Sequence, residues 1–100
     1  MDELILMVEQ WGKERGLDKA DPTKQYLKVA EEFGEIGAAL ARHKQDDLRD
    51  AIGDTVVTLI LLAKQCDMTL YECLVCAFSE IKDRQGKTVN GVFVKESDLI

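Results

Sequence analysis

The chain has 100 residues, 46% of them apolar and 32% charged, with a formal net charge of -6, which is the size and balance of one folded domain, 1–100, and not of a disordered segment. The acidic excess rules against a general binder of nucleic-acid polymers, which needs a basic face to displace counterions from phosphates. It leaves open a nucleotide ligand held through a divalent cation between two sets of oxygens.

Leu4, Met7, Val8 and Trp11 follow the i, i+3, i+4, i+7 spacing of an amphipathic helix, expected to end near Gly16. Asp21-Pro22 supplies a capping carboxylate and then a proline at the first helical position, so a second helix is expected from there to about Arg42. Its apolar stripe is Tyr26, Val29, Phe33, Ile36 and Leu40. Gly34, Gly37, Ala38 and Ala41 are small enough to admit a neighbouring helix or a ligand. A third helix is expected from Asp46-Asp47 to about Gln65, its apolar run from Val56 to Ala63 reading as a central buried helix. Thr69-Leu70-Tyr71-Glu72 fits a capping box and opens a fourth helix to about Arg84. Asn90-Gly91, between Val89 and Val92-Phe93-Val94, predicts a tight hairpin turn in an otherwise irregular tail. The expected fold is all-α, an antiparallel four-helix arrangement with a short irregular or hairpin C-terminal tail.

No run approaches the ~20 apolar residues needed to span a bilayer, and Met1-Asp2-Glu3-Leu4 has no basic region followed by an apolar stretch, so a cytoplasmic chain with no membrane partner is expected. Cys66, Cys73 and Cys76 are an odd number, which argues against a disulfide framework. A chain this short buries only about 60–65% of its unfolded surface, so self-association is expected.

Chemistry concentrates in Glu31-Glu32-Phe33-Gly34-Glu35. Residues three or four apart share a helix face, so Glu32 and Glu31 both neighbour Glu35, and no lysine or arginine lies in the following turn to relieve their repulsion. A cation would relieve it; a solvated acidic face fits the spacing as well. Asp54 lies one turn beyond Asp50 at the edge of the apolar run, where an unpartnered carboxylate carries a desolvation cost. If the second and third helices are antiparallel, Glu35 and Asp50–Asp54 lie at similar distances from the turn at His43–Gln45 and can meet across the interface. Such an oxygen-rich set suits Mg²⁺, and the absence of nearby histidine or paired cysteine argues against zinc.

Glu31-Glu32-Phe33-Gly34-Glu35-Ile36, followed by Asp50-Ala51-Ile52-Gly53-Asp54-Thr55-Val56-Val57, resembles the MazG-like all-α nucleoside triphosphate pyrophosphohydrolases, whose signature is E-E-x-x-E and then E-x-x-D on the next helix. Glu80-Ile81-Lys82-Asp83-Arg84, Gly86-Lys87 and Asn90-Gly91 are similar to the basic, asparagine-containing ends of that family. The resemblance implies that Glu32, Glu35 and Asp54 bind Mg²⁺, with Glu31 a further ligand or the group that activates water, and Glu31 or Glu32 the base. It departs at position 51, where the family's glutamate is Ala51 and Asp50 is the nearest carboxylate. Lys82, Arg84 and Lys87 suit the oxygens of a triphosphate, although they also complement a helix dipole. Asn90 can contact phosphate or sugar, or serve only its turn.

The implied activity cleaves a nucleoside triphosphate to monophosphate and pyrophosphate, in nucleotide-pool housecleaning, by a homodimer or homotetramer. Two other readings stand beside it: a non-catalytic nucleotide- or metal-binding relative that lost activity through Ala51, and a helical interaction module. Trp11 reads as core more readily than as a base-stacking ring. Cys73-Leu74-Val75-Cys76 reads as packed helix cysteines, with no second pair for zinc. His43, with no nucleophile beside it, is assigned no role.

Overall fold

The computed structural model describes residues 2–99. The chain is mostly helical: α1 is Asp2–Glu14, α2 Pro22–Arg42, α3 Gln45–Gln65 and α4 Leu70–Ile81, followed by a hairpin of β1, Gly86–Val89, and β2, Val92–Lys95. Single 3₁₀ turns occupy Leu17–Lys19 and Glu96–Asp98.

The local signals act as their chemistry dictates. Asp21 accepts a hydrogen bond from the Thr23 amide at 2.9 Å, and Pro22 opens α2. Thr69 accepts from the Glu72 amide at 3.0 Å to start α4. Asn90 and Gly91 both take positive φ, 52° and 80°, as a two-residue hairpin turn requires, which sets Val89 opposite Val92. His43, also at positive φ, closes α2, so its place is a helix exit. The fourth helix stops at Ile81, three residues short of the expected Arg84; the Arg84 amide instead turns back to the Ile81 carbonyl.

Helix α3 is the centre, packed by α1, by α2, by the Leu17–Lys19 turn and by α4. It supplies buried Ala51, Thr55, Thr58, Ile60, Leu61 and Ala63. The two buried threonines satisfy their hydroxyls within the helix, Thr55 donating to the Ala51 carbonyl and Thr58 to the Thr55 carbonyl. Polar side chains fix the surrounding elements: the Gln25 amide donates to the Thr58 carbonyl at 3.0 Å, and the Gln65 amide to the Leu17 carbonyl at 2.9 Å. No helix among the described residues is long and apolar enough to cross a membrane.

Two expected faces are turned. On α1, Leu4, Met7 and Trp11 of the expected stripe lie exposed and Val8 is half-buried, whereas Ile5 and Gly12 are buried. The cause is a close approach, because a Cβ at Gly12 would run into Leu61 Cδ2, so α1 presents its backbone to α3 at that glycine. Trp11 is half-exposed, with the Arg15 guanidinium 4.3 Å from its ring centre, in place of its expected core position. On α2, Tyr26, Phe33 and Leu40 are exposed, whereas Gln25, Val29, Glu32, Ile36 and Ala39 face α3. Gly34 and Gly37 are not where helices meet: among the described residues nothing lies within 4 Å of a Cβ built at either. Of the Cys73-x-x-Cys76 pair only Cys73 is half-buried; Cys76, like Cys66, is exposed, in place of the packed cysteines expected.

The glycines therefore make an opposed pair of tests. Gly12→Ala is expected to destabilise the chain by a net amount of about 0.5–2 kcal/mol, overpacking against buried Leu61 outweighing the gain in helix propensity, and Gly37→Ala to stabilise it by about 0.5–1 kcal/mol through helix propensity. Urea denaturation of both variants checks the signs, and a stabilised Gly12→Ala would contradict the α1–α3 contact.

Candidate functional site

Helices α2 and α3 form an antiparallel hairpin joined by His43 and Lys44. Along α2, residues 31/32, 35, 39 and 42 share one face, and along α3 residues 47, 50, 51 and 54 share another, both at the three- and four-residue steps of a helix. The two faces meet in a cleft of about 360 Å³ lined by Glu31, Glu32, Glu35, Ala39, Arg42, Asp47, Asp50, Ala51 and Asp54. Its floor is made of the two small buried residues, Ala39 and Ala51. All five acidic residues singled out from the sequence, Glu31, Glu32, Glu35, Asp50 and Asp54, are thus brought to one place.

Asp47 and Arg42 line the same cleft and did not stand out in the sequence. The signal was available, since Arg42 continues the Glu35–Ala39 ladder by one step and Asp47 precedes Asp50 by one. Each lies outside the motif spacing that drew attention to the others. Relief for Glu31 and Glu32 likewise comes from the preceding turn: Lys28 Nζ stands 3.4 Å from a carboxylate oxygen of each. That pairing holds the Lys28 ammonium above its usual pKa, first through the hydrogen bond to Glu31.

The opposite bank is less well compensated. The Asp54 carboxyl is held above the usual carboxylate range, first by partial removal from water, then by the charges of Asp50 and Glu32, with Lys28 offsetting part of the effect. The repulsion reaching Asp54 from Glu32 is electrostatic coupling across the helix pair. Glu32 is the least exposed of the α2 carboxylates whose ion pairs are resolved, at 16% against 64% for Glu31. Among the described residues no group of three or more acidic, histidine or cysteine side chains is drawn close enough to hold an ion as it stands.

Position 51 lies inside the cleft, so a longer acidic side chain there would enter it. Asp50 is on the cleft wall beside it and remains exposed. The tail residues are elsewhere: none of Lys82, Arg84, Lys87 and Asn90 lines the acidic cleft. Arg84 instead borders a shallow hollow with Gln85, Lys95, Glu96 and Ser97, and Asn90 occupies the hairpin turn.

Among curated proteins the chain is similar to an uncharacterized 18.2 kDa protein from the rep-hol intergenic region of Haemophilus phage HP1, with 42% identity over 66 residues. The match takes in 65% of this chain, and the chain spans only 40% of that protein's length. No protein-family profile matches, and no solved structure is significantly similar.

The elevated Asp54 pKa has a definite sign. Ionised Asp54 costs stability above the ordinary carboxylate pKa of 3.8, and that cost vanishes as the pH falls below it. In chelator-treated protein at pH 7, Asp54→Asn is expected to raise Tm by roughly 1–3 °C, a small effect because the group is largely hydrated. At pH 3 the variant and parent should melt together; a Tm lowered at pH 7 would contradict the repulsion.

Proposed function

We propose that this chain is a Mg²⁺-dependent nucleoside triphosphate pyrophosphohydrolase with a MazG-like four-helix arrangement. The observation that carries the reading is the α2–α3 cleft, where Glu31, Glu32, Glu35, Asp47, Asp50 and Asp54 from two helix faces enclose one space together with a single arginine, Arg42. Carboxylates facing each other across a helix pair, only those of Glu31 and Glu32 with a lysine beside them, are costly for the fold alone and are satisfied by a hard divalent cation.

Glu32, Glu35 and Asp54 are the residues that would hold Mg²⁺, with Asp50 filling in beside Ala51. When bound, the cation offsets charge on the phosphates and eases ionisation of water at neutral pH. The protein's own groups do the rest. Glu31, at the open rim, accepts a proton from the attacking water; Glu32 is the alternative base. The water oxygen bonds to the α-phosphorus as the α–β bridging bond breaks, so that nucleoside monophosphate and pyrophosphate leave. Arg42, at the hairpin end of the cleft, supplies paired N–H donors for phosphate oxygens. Lys82, Arg84, Lys87 and Asn90 remain candidates for a more distant phosphate contact.

Ala51 favours a second reading. Its buried methyl occupies the place where the resembled family has a glutamate, which fits a nucleotide- or metal-binding protein without turnover.

Incubation with a panel of nucleoside triphosphates and Mg²⁺, with products resolved, decides between them. Monophosphate and pyrophosphate are expected, with kcat/KM lowered roughly 100-fold or more by Glu35→Gln and KM raised about tenfold by Arg42→Ala. Orthophosphate release, or no turnover of any nucleotide, would contradict the hydrolase reading. Tight binding without turnover that becomes turnover in Ala51→Glu would establish the second.

A further inference from the structure

Lys28 stands one helical turn before the acidic motif of α2, with its Nζ 3.4 Å from a carboxylate oxygen of Glu31 and 3.4 Å from one of Glu32. The two contacts differ in setting. Glu31 is 64% exposed and accepts its hydrogen bond in water. Glu32 is 16% exposed, faces α3, and among the described residues has no other cation within 4 Å. A carboxylate drawn that far from water needs a partner of opposite charge.

Helix stability alone does not account for this lysine. A glutamate four residues before a lysine supports a helix better than the reverse order, and here Lys28 precedes Glu32. Nor does Lys28 take up room in the cleft, whose lining on α2 begins at Glu31. It supplies charge to Glu32 from the preceding turn and leaves the space between the helices open. Its field also reaches Asp54 on the opposite bank, where it offsets part of the repulsion from Asp50 and Glu32.

We propose that Lys28 is a resident counter-ion for the cleft, standing in at Glu32 when no divalent cation is bound and opposing a bare cation when one enters. The inference rests on the reading of the cleft as a divalent-cation site. A fixed positive charge beside Glu32 has two opposed effects. It relieves the carboxylates of the empty cleft, and it repels a second positive charge held by the same carboxylate. In hydrated surroundings the repulsion of a doubly charged ion weakens its binding about three- to tenfold. A cation that arrives bound to phosphates escapes that penalty, because the complex is negative overall and Lys28, like Arg42, attracts it. Lys28 is thus a specificity-determining residue that favours a cation–phosphate complex over the free ion.

Calorimetric titration of the chelator-treated full chain with Mn²⁺ alone and with manganese pyrophosphate tests this, together with melts of each cation-free sample. Binding that Glu35→Gln weakens is counted as binding in the cleft. Lys28→Met and Lys28→Gln are expected to lower the cation-free Tm by roughly 1–3 °C and yet to bind Mn²⁺ about three- to tenfold more tightly. Their affinity for manganese pyrophosphate should not rise. Lys28→Arg, which keeps the charge, should match the parent within about twofold in both titrations. A merely structural lysine would move stability and affinity in the same direction. If the unmodified chain binds no Mn²⁺ in the cleft, the cation reading falls and this inference with it. If it does bind, and the neutral variants bind Mn²⁺ equally or more weakly, gain equally for the pyrophosphate complex, or melt no lower than the parent, this inference alone is overturned.

Discussion

Ala39 and Ala51, one on each helix of the α2–α3 pair, are buried at the floor of the cleft. Their short side chains leave room between the antiparallel helices, and the neighbouring positions, one helical step away on each ladder, line the same space. Those positions are carboxylates. The cleft thus follows from two alanines and a two-residue connection, and its charge follows from the ladders on which they stand. Enlarging either alanine would fill the floor; lengthening the connection would release the juxtaposition of the two acidic helix faces.

A fold that places so many negative groups in one space has to manage their repulsion. On α2 it does so with Lys28, which reaches Glu31 and Glu32. On α3 the only ion pair among the described residues is Arg49 with Asp46, at 3.2 Å and on the surface, and it leaves Asp54 to the fields of Asp50 and Glu32, which Lys28 offsets only in part. The imbalance between the banks is the physical content of the functional reading: one bank is already partly neutralised, and the other gains from a cation. Among the described residues Arg42 is the one positive group lining the cleft itself, which suits an anionic ligand more than a bare ion.

What was legible in the sequence was whatever a few adjacent residues decide. Asp21-Pro22, Thr69 with Glu72, and Asn90-Gly91 each set their backbone by local hydrogen bonding or permitted φ, and each does so here. Five of the six acidic residues of the cleft were legible because helical spacing fixes which side chains share a face. The faces themselves were less so. Apolar periodicity identified Leu4, Met7 and Trp11 on α1 and Tyr26, Phe33 and Leu40 on α2, but a single chain has too few elements to cover every stripe. Gly12 decided which side of α1 meets α3, and a glycine's role in a contact is visible only once its neighbour, Leu61, is in place. Arg42 and Asp47 were missed because they extend the ladders beyond a motif, although the same spacing includes them.

The central claim is that the α2–α3 carboxylates form one divalent-cation site. Anomalous diffraction from crystals grown with Mn²⁺ in place of Mg²⁺ tests it most directly, since manganese takes the same oxygen ligands and reports its own position. The account predicts an anomalous peak in the cleft, within coordinating distance of Glu32, Glu35 and Asp54. A peak only at another acidic surface, such as Asp46 at the start of α3, or none in the cleft at millimolar Mn²⁺, would contradict it.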